Sequence, residues 1–119
     1  MRHRVKERKL GRPTEHRLLM LRGLVTALME HGKVVTTVAR AKELKRLADK
    51  TITKAKQEDK VKAIRDVLKI VTKKEVAYKV VNEIAPKYKD RNGGYTRMYH
   101  YGFRKGDSAP TAIVMLVDD

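Results

Sequence analysis

Four histidines, His3, His16, His31 and His100, are the imidazoles from which catalysis or metal binding would have to be built, and the chain has no cysteine. No two of them stand four apart, the spacing that sets two ligands on one helix face, so no metal and no cofactor is expected. General acid–base chemistry needs titratable groups paired in an enclosed site. The carboxylates here are scattered along expected helix surfaces, and His100 with Asp107 is the one pair worth testing. Gly93-Gly94 is followed by neither a helix nor a Lys-Ser or Lys-Thr pair, which excludes a P-loop. An enzyme is not expected.

What the chain does carry is the means to bind phosphate. Lys and Arg number 29 against 14 Asp and Glu, a formal net charge of +15 over 119 residues. The excess is concentrated. Residues 1–12 hold Arg2, Arg4, Lys6, Arg8, Lys9 and Arg12 against Glu7, a net of +5. Residues 86–106 hold Lys87, Lys89, Arg91, Arg97, Arg104 and Lys105 against Asp90, again +5. Like charges in one run repel, and a polyanion is the partner that offsets them. Within the second run, Arg91 to Arg97 joins guanidinium forks to two glycines and to Tyr95. Such forks grip phosphate oxygens in pairs, glycines allow close backbone approach, and a tyrosine ring can stack on a splayed base. His16, Arg17 and Arg22 extend the positive surface beside the first run.

The elements that must position these groups follow from periodicity. Residues 1–12 have no period and read as an extended arm, leaving 13–119 as a single domain. Pro13 and Thr14 open a helix with Leu18, Leu19, Leu21, Leu24, Val25, Leu28 and Met29 on its stripe, closed by Gly32. Lys33 to Thr37 predicts a short strand. Thr37 then caps a second helix, with Val38, Ala41, Leu44, Ala48, Ile52 and Ala55 inside. Its outer, solvated face carries Arg40, Lys42, Lys45, Arg46, Lys50 and Lys54. Gln57 to Asp59 is a polar break. A third helix turns Val61, Ile64, Leu68 and Val71 inward. Thr72 with Glu75 predicts a capping box for a fourth, bearing Val76, Val80, Val81 and Ile84 and ending at Pro86. Asn92-Gly93-Gly94 is a turn. Tyr95 to Arg104 predicts a strand with Tyr95, Tyr99, Tyr101 and Phe103 on one face. A turn then leads to a strand over Thr111 to Val117, apolar on both faces and well buried. The fold class expected is α+β, in the order α-β-α-α-α-β-β, with helices packed on a small mixed or antiparallel sheet. The longest apolar run, Ala112 to Val117, is too short to span a membrane, and no secretory signal pattern opens the chain.

Eight strings in order carry a likeness: Met1-Arg2-His3-Arg4, Lys9-Leu10-Gly11-Arg12, His16-Arg17, His31-Gly32, Thr36-Thr37, Ala41-Lys42-Glu43-Leu44, Asp90 through Arg97, and Arg104-Lys105-Gly106-Asp107. The sequence resembles, along its whole length, the bacterial large-subunit ribosomal protein numbered seventeen. The resemblance implies a structural protein of the cytoplasmic ribosome that binds large-subunit ribosomal RNA. It implies a place near the mouth of the peptide exit tunnel, beside other large-subunit proteins, of which number thirty-two is the neighbour named first. The residues expected to meet RNA are Arg2, His3, Arg4, Lys9 and Arg12 in the arm, with His16, Arg17 and Arg22 on the first helix. Thr36, Thr37, Arg40 and Lys42 follow around the start of the second helix. Arg91, Gly93, Gly94, Tyr95, Thr96, Arg97, Arg104 and Lys105 complete the set.

Three other readings compete. Three helices and a hairpin are also the order of a winged-helix DNA-binding regulator, but its recognition helix, here Lys73 to Ala85, should hold the positive charge. It mixes Lys73, Lys74 and Lys79 with Glu75 and Glu83 instead. Architectural DNA binding shares the composition, and an RNA-processing enzyme lacks a site.

Overall fold

The computed structural model describes residues 14–117, so the expected arm lies outside the described residues, as does the side chain of Thr14. Helix α1 (Thr14–His31) ends where Gly32 takes φ +85°, a left-handed backbone that an L side chain resists. The Gly32 amide closes the last turn on the Leu28 carbonyl at 2.7 Å, and its own carbonyl accepts from Leu116. Strand β1 (Lys33–Thr37) leads directly into α2 (Val38–Ala55). Thr37 does stand at the N-cap position, with extended backbone, but its side chain makes no capping hydrogen bond.

The break after α2 has a positive role that its polarity alone did not reveal. Asp59 caps α3 (Lys60–Leu68), its carboxylate accepting from the amides of Val61 and Lys62 at 3.1 and 3.2 Å. The capping box expected at Thr72 does not form: α4 (Lys74–Lys79) starts after Lys73, which makes no side-chain cap. Thr72 instead turns back to α1. Its amide donates to Thr26 Oγ1 at 2.9 Å, and the two hydroxyls lie 3.2 Å apart. The helix then widens into a π-helical turn (Val80–Ile84) and finishes as α5 (Ala85–Lys87), passing through Pro86 instead of ending there. In the widened turn the Ala85 amide reaches back to Val80. Pro86 has no N–H, and in regular α geometry its ring would collide with the carbonyl of Asn82; the wide turn lies immediately before it.

Strands β2 (Thr96–Phe103) and β3 (Pro110–Leu116) complete an antiparallel sheet of order β1-β3-β2. Val34, Met98, Ala112, Val114 and Leu116 face the helices and join one core with Val25, Leu28, Leu44, Ile52, Val67 and Val80. Full burial of a side chain such as Val25, Leu28, Leu44 or Ile52 is worth about 1.5–3 kcal/mol. The architecture is the α+β domain expected, in the expected order.

Several side chains depart from the expected faces. Leu18 and Leu19 are 48% and 59% exposed, and Val61 is 67% exposed, so these three lie off the buried stripe of their helices. The strand expected from Tyr95 begins at Thr96, and Tyr95 itself is core. A bulge between His100 and Gly102 breaks the period of two. Beyond it Tyr101 and Phe103 are both exposed. The expectation of burial on both faces of β3 also fails: Ile113 and Met115 are only half-buried, since the helices cover one side of the sheet.

Candidate nucleic-acid interface

The pairing register sorts the expected RNA-binding residues to two ends of the sheet. At one end Thr37 and Gly102 both pair with Thr111. That places Thr36, Thr37 and the first turns of α2, with Arg40 and exposed Lys42, at the end from which Arg104 and Lys105 project. At the other end Lys33 and Arg97 both pair with Met115, and Gly93 and Gly94 lead into β2 beside them. These glycines take φ +85° and +61°, a left-handed pair that reverses the chain before the strand. Arg97 is exposed and Arg91 half-buried. Arg2, His3, Arg4, Lys9 and Arg12 lie outside the described residues.

Not every expected contact residue is free to reach a ligand. Tyr95 is 1% exposed, so its ring cannot stack on a base. It packs on Tyr88 with ring centroids 5.3 Å apart, and its hydroxyl accepts from Lys56 at 3.1 Å and from Thr53 at 3.4 Å. Burial opposes ionisation of this phenol, but the hydrogen bonds from Thr53, Lys56 and the Gly93 backbone outweigh it, and its pKa falls below the ordinary value. Lys56 also donates to the Arg91 carbonyl at 2.6 Å, tying the loop to α2. Thr96 is equally buried and donates to Asp49 at 3.0 Å. Arg17 is buried between α1 and α2, where it lines a groove with Glu43, and Arg22 Nε donates to the Ile70 carbonyl at 3.0 Å. On α1 this leaves His16 as the exposed member of the expected set. Arg46, read as solvated, pairs with buried Glu43 at 3.2 Å. That pair is local, three residues apart, and Glu43 with Arg46 was the signal for it.

Arg104 and Asp107 close the β2–β3 turn. Arg104 Nε donates to Asp107 at 3.2 Å, a second guanidinium nitrogen reaches the other carboxylate oxygen, and the Ala109 amide donates to Asp107 at 3.1 Å. The Arg104 hydrogen bonds above all, then the Ala109 amide, hold the Asp107 carboxyl down to about 2. Asp107 is thus committed to Arg104, which removes the candidate acid–base pair with His100. Among the described residues no cluster of three His, Asp or Glu could hold a metal ion. No described helix is long and apolar enough to cross a membrane.

The helix a winged-helix regulator would use is also turned to structural work. Lys73 pairs with Glu30 at 3.1 Å and Lys79 donates to the Glu30 carbonyl at 2.9 Å, so both cations bind the C-terminal turn of α1. By contrast, the three strands carry no carboxylate at all.

Comparison with known proteins gives the family of the chain. The family model for ribosomal protein L17 matches residues 20–117. The large ribosomal subunit protein bL17 of Clostridium novyi (strain NT) is 57% identical over 111 residues, covering 93% of this chain and 97% of that protein. The proteins of the same name from Clostridium acetobutylicum and Clostridium tetani are 56% and 54% identical over 110 residues, each covering 92% of this chain and 96% of the relative. A basic α+β domain with its cations gathered at both ends of a carboxylate-free sheet belongs, on this evidence, to the ribosomal protein L17 family.

Proposed function

We propose that the chain binds large-subunit ribosomal RNA through the two ends of its sheet and its basic N-terminal segment. The coarser role follows from the family: a structural, non-enzymatic ribosomal protein of the large subunit. The observation that carries the RNA reading is the placement of Arg40, Lys42, Arg97 and Lys105 around strands free of carboxylate. Cations set at opposite ends of a rigid sheet can hold separate RNA helices by their phosphates and so offset the repulsion between them. A position near the mouth of the peptide exit tunnel, with large-subunit protein thirty-two as neighbour, is part of the same proposal and rests on the resemblance.

The test is the salt dependence of RNA binding. Residues 1–12 and 86–106 hold twelve cations. With about half of them on phosphates, the slope of log K against log salt is roughly −4 to −6. A slope near zero would remove the basic clusters from the interface. Deleting residues 2–12 should then weaken binding and leave cooperative melting in place, because that stretch has no apolar period and supplies mainly charge. Loss of cooperative melting would instead make 1–12 part of the fold.

A further inference from the structure

Among the described residues, the helices cover one face of the sheet and leave the other half-exposed. The register puts two cross-strand rows on it. One row is Lys33, Met115 and Arg97, and the other is Val35, Ile113 and Tyr99. Val35 and Tyr99 are each 49% exposed, although both sit inside strands. The centre of this face is therefore apolar and aromatic, and a cation stands on each edge strand. With neighbouring strands about 4.8 Å apart, Lys33 and Arg97 are separated by roughly 10 Å, with the apolar strip alongside.

We propose that this open face is a stacking platform for unpaired nucleotides of the RNA, with Tyr99 as the ring on which a base lies. Lys33 and Arg97 take the flanking phosphates. The proposal rests on the RNA-binding reading above and adds to it the kind of RNA and the face that receives it. Three observations favour an unpaired strand over a protein partner. The rim charges are both positive and the strands hold no carboxylate, which matches a polyanion and would leave an ordinary protein rim unbalanced. Tyr99 offers a half-exposed ring on a rigid strand, whereas Tyr95 is held in the core. Duplex RNA shows its phosphates and keeps its bases stacked internally, so an aromatic and aliphatic floor gains nothing from it. A single strand presents bases whose faces can cover that floor.

The chain has no tryptophan, so Tyr99→Trp introduces one fluorophore at the platform. Binding of a short oligoadenylate and of an RNA duplex of equal length is measured for the parent, Tyr99→Trp, Tyr99→Phe and Tyr99→Leu. Stacking predicts that oligoadenylate quenches the indole emission strongly and the duplex does not. Tyr99→Leu, which keeps an apolar side chain and loses the ring, should weaken oligoadenylate binding about 5- to 100-fold and duplex binding less than about twofold. Tyr99→Phe should retain the parent affinity. Unquenched emission together with equal oligoadenylate affinity for parent and Tyr99→Leu overturns the platform, and the RNA-binding reading survives if duplex binding persists. If the parent binds neither RNA, the RNA-binding reading falls and the platform with it. Self-association in sedimentation that Tyr99→Leu abolishes, with oligoadenylate affinity unchanged, would assign the face to a second copy of the chain and also overturn the proposal. Circular dichroism melting should show each variant unfolding cooperatively near the parent's midpoint, as a half-exposed site allows.

Discussion

Lys56 donates to the Tyr95 hydroxyl at 3.1 Å, and the same ammonium holds the Arg91 carbonyl at 2.6 Å. One side chain just past the end of α2 thus fastens the whole basic loop before β2 to the helical layer. Lys56→Met keeps the aliphatic stem and removes both donors. It should cost about 0.5–1.5 kcal/mol, the net worth of a lost hydrogen bond, since the Tyr95 hydroxyl keeps Thr53 as a donor. The Tyr95 phenol should at the same time return toward its ordinary value of 10.0. Urea denaturation and a spectrophotometric tyrosine titration measure the two effects. An unchanged titration would show that Lys56 does not set the ionisation of Tyr95.

Thr26 is 4% exposed, accepts from the Thr72 amide and donates to the Arg22 carbonyl at 2.8 Å. Thr26→Val preserves shape but strands the Thr72 amide, and a loss of about 1–3 kcal/mol in urea denaturation is expected. Glu75→Ala is the companion experiment. A capping box would make it costly, whereas the structure places the loss within about 0.5 kcal/mol, the range of ordinary surface changes.

Arg104 and then the Ala109 amide stabilise the charged form of Asp107 and hold its carboxyl down to about 2, from an ordinary value of 3.8. A carboxyl depressed in the fold stabilises the fold above the unfolded value, and that contribution disappears as pH falls from near 4 through about 2. NMR titration of the Asp107 carboxyl should give the low midpoint, and Arg104→Ala should raise it. Both groups are solvent-exposed, so added salt should also raise the midpoint.

Arg97→Lys keeps the charge and loses the planar fork. If Arg97 grips a phosphate in bidentate fashion, RNA binding should weaken by on the order of 1 kcal/mol. Arg46 is an unsuitable control, since its guanidinium is paired with buried Glu43. Arg65, exposed on α3, serves instead, and Arg65→Lys should bind as the parent does. Equal affinities for the Arg97 and Arg65 variants would place Arg97 in a diffuse positive field with no specific contact.

The parts of this fold that could be read in the sequence are those governed by local period. The inward faces of α2 and α4, the Gly32 stop and the order of elements all follow from spacings within one or two turns. What could not be read depends on partners far along the chain. Tyr95 meets Lys56, Thr72 meets Thr26 and Arg22 meets Ile70, each across 39 residues or more. A tyrosine in a basic loop looks the same in sequence whether its ring faces RNA or a core. Only the packing of β2 on α2 decides between them, and the same packing leaves Tyr99, four residues later, on the open side. The Asp59 cap and the Glu43–Arg46 pair were different: both lay within three residues and were locally legible.

The strand order β1-β3-β2 also has a consequence in time. Two of the three strands share no hydrogen bonds with each other, and the one that joins them is the last to be synthesised. When β1 leaves a translating ribosome, its sheet partner is still unmade, and at roughly 5–20 residues per second it waits several seconds for it. Until then Val34 and Val35 have no sheet neighbour and the helices have no sheet to close on. The fold can be completed only after β3 has been released, so a nascent chain halted before Pro110 should lack the sheet entirely.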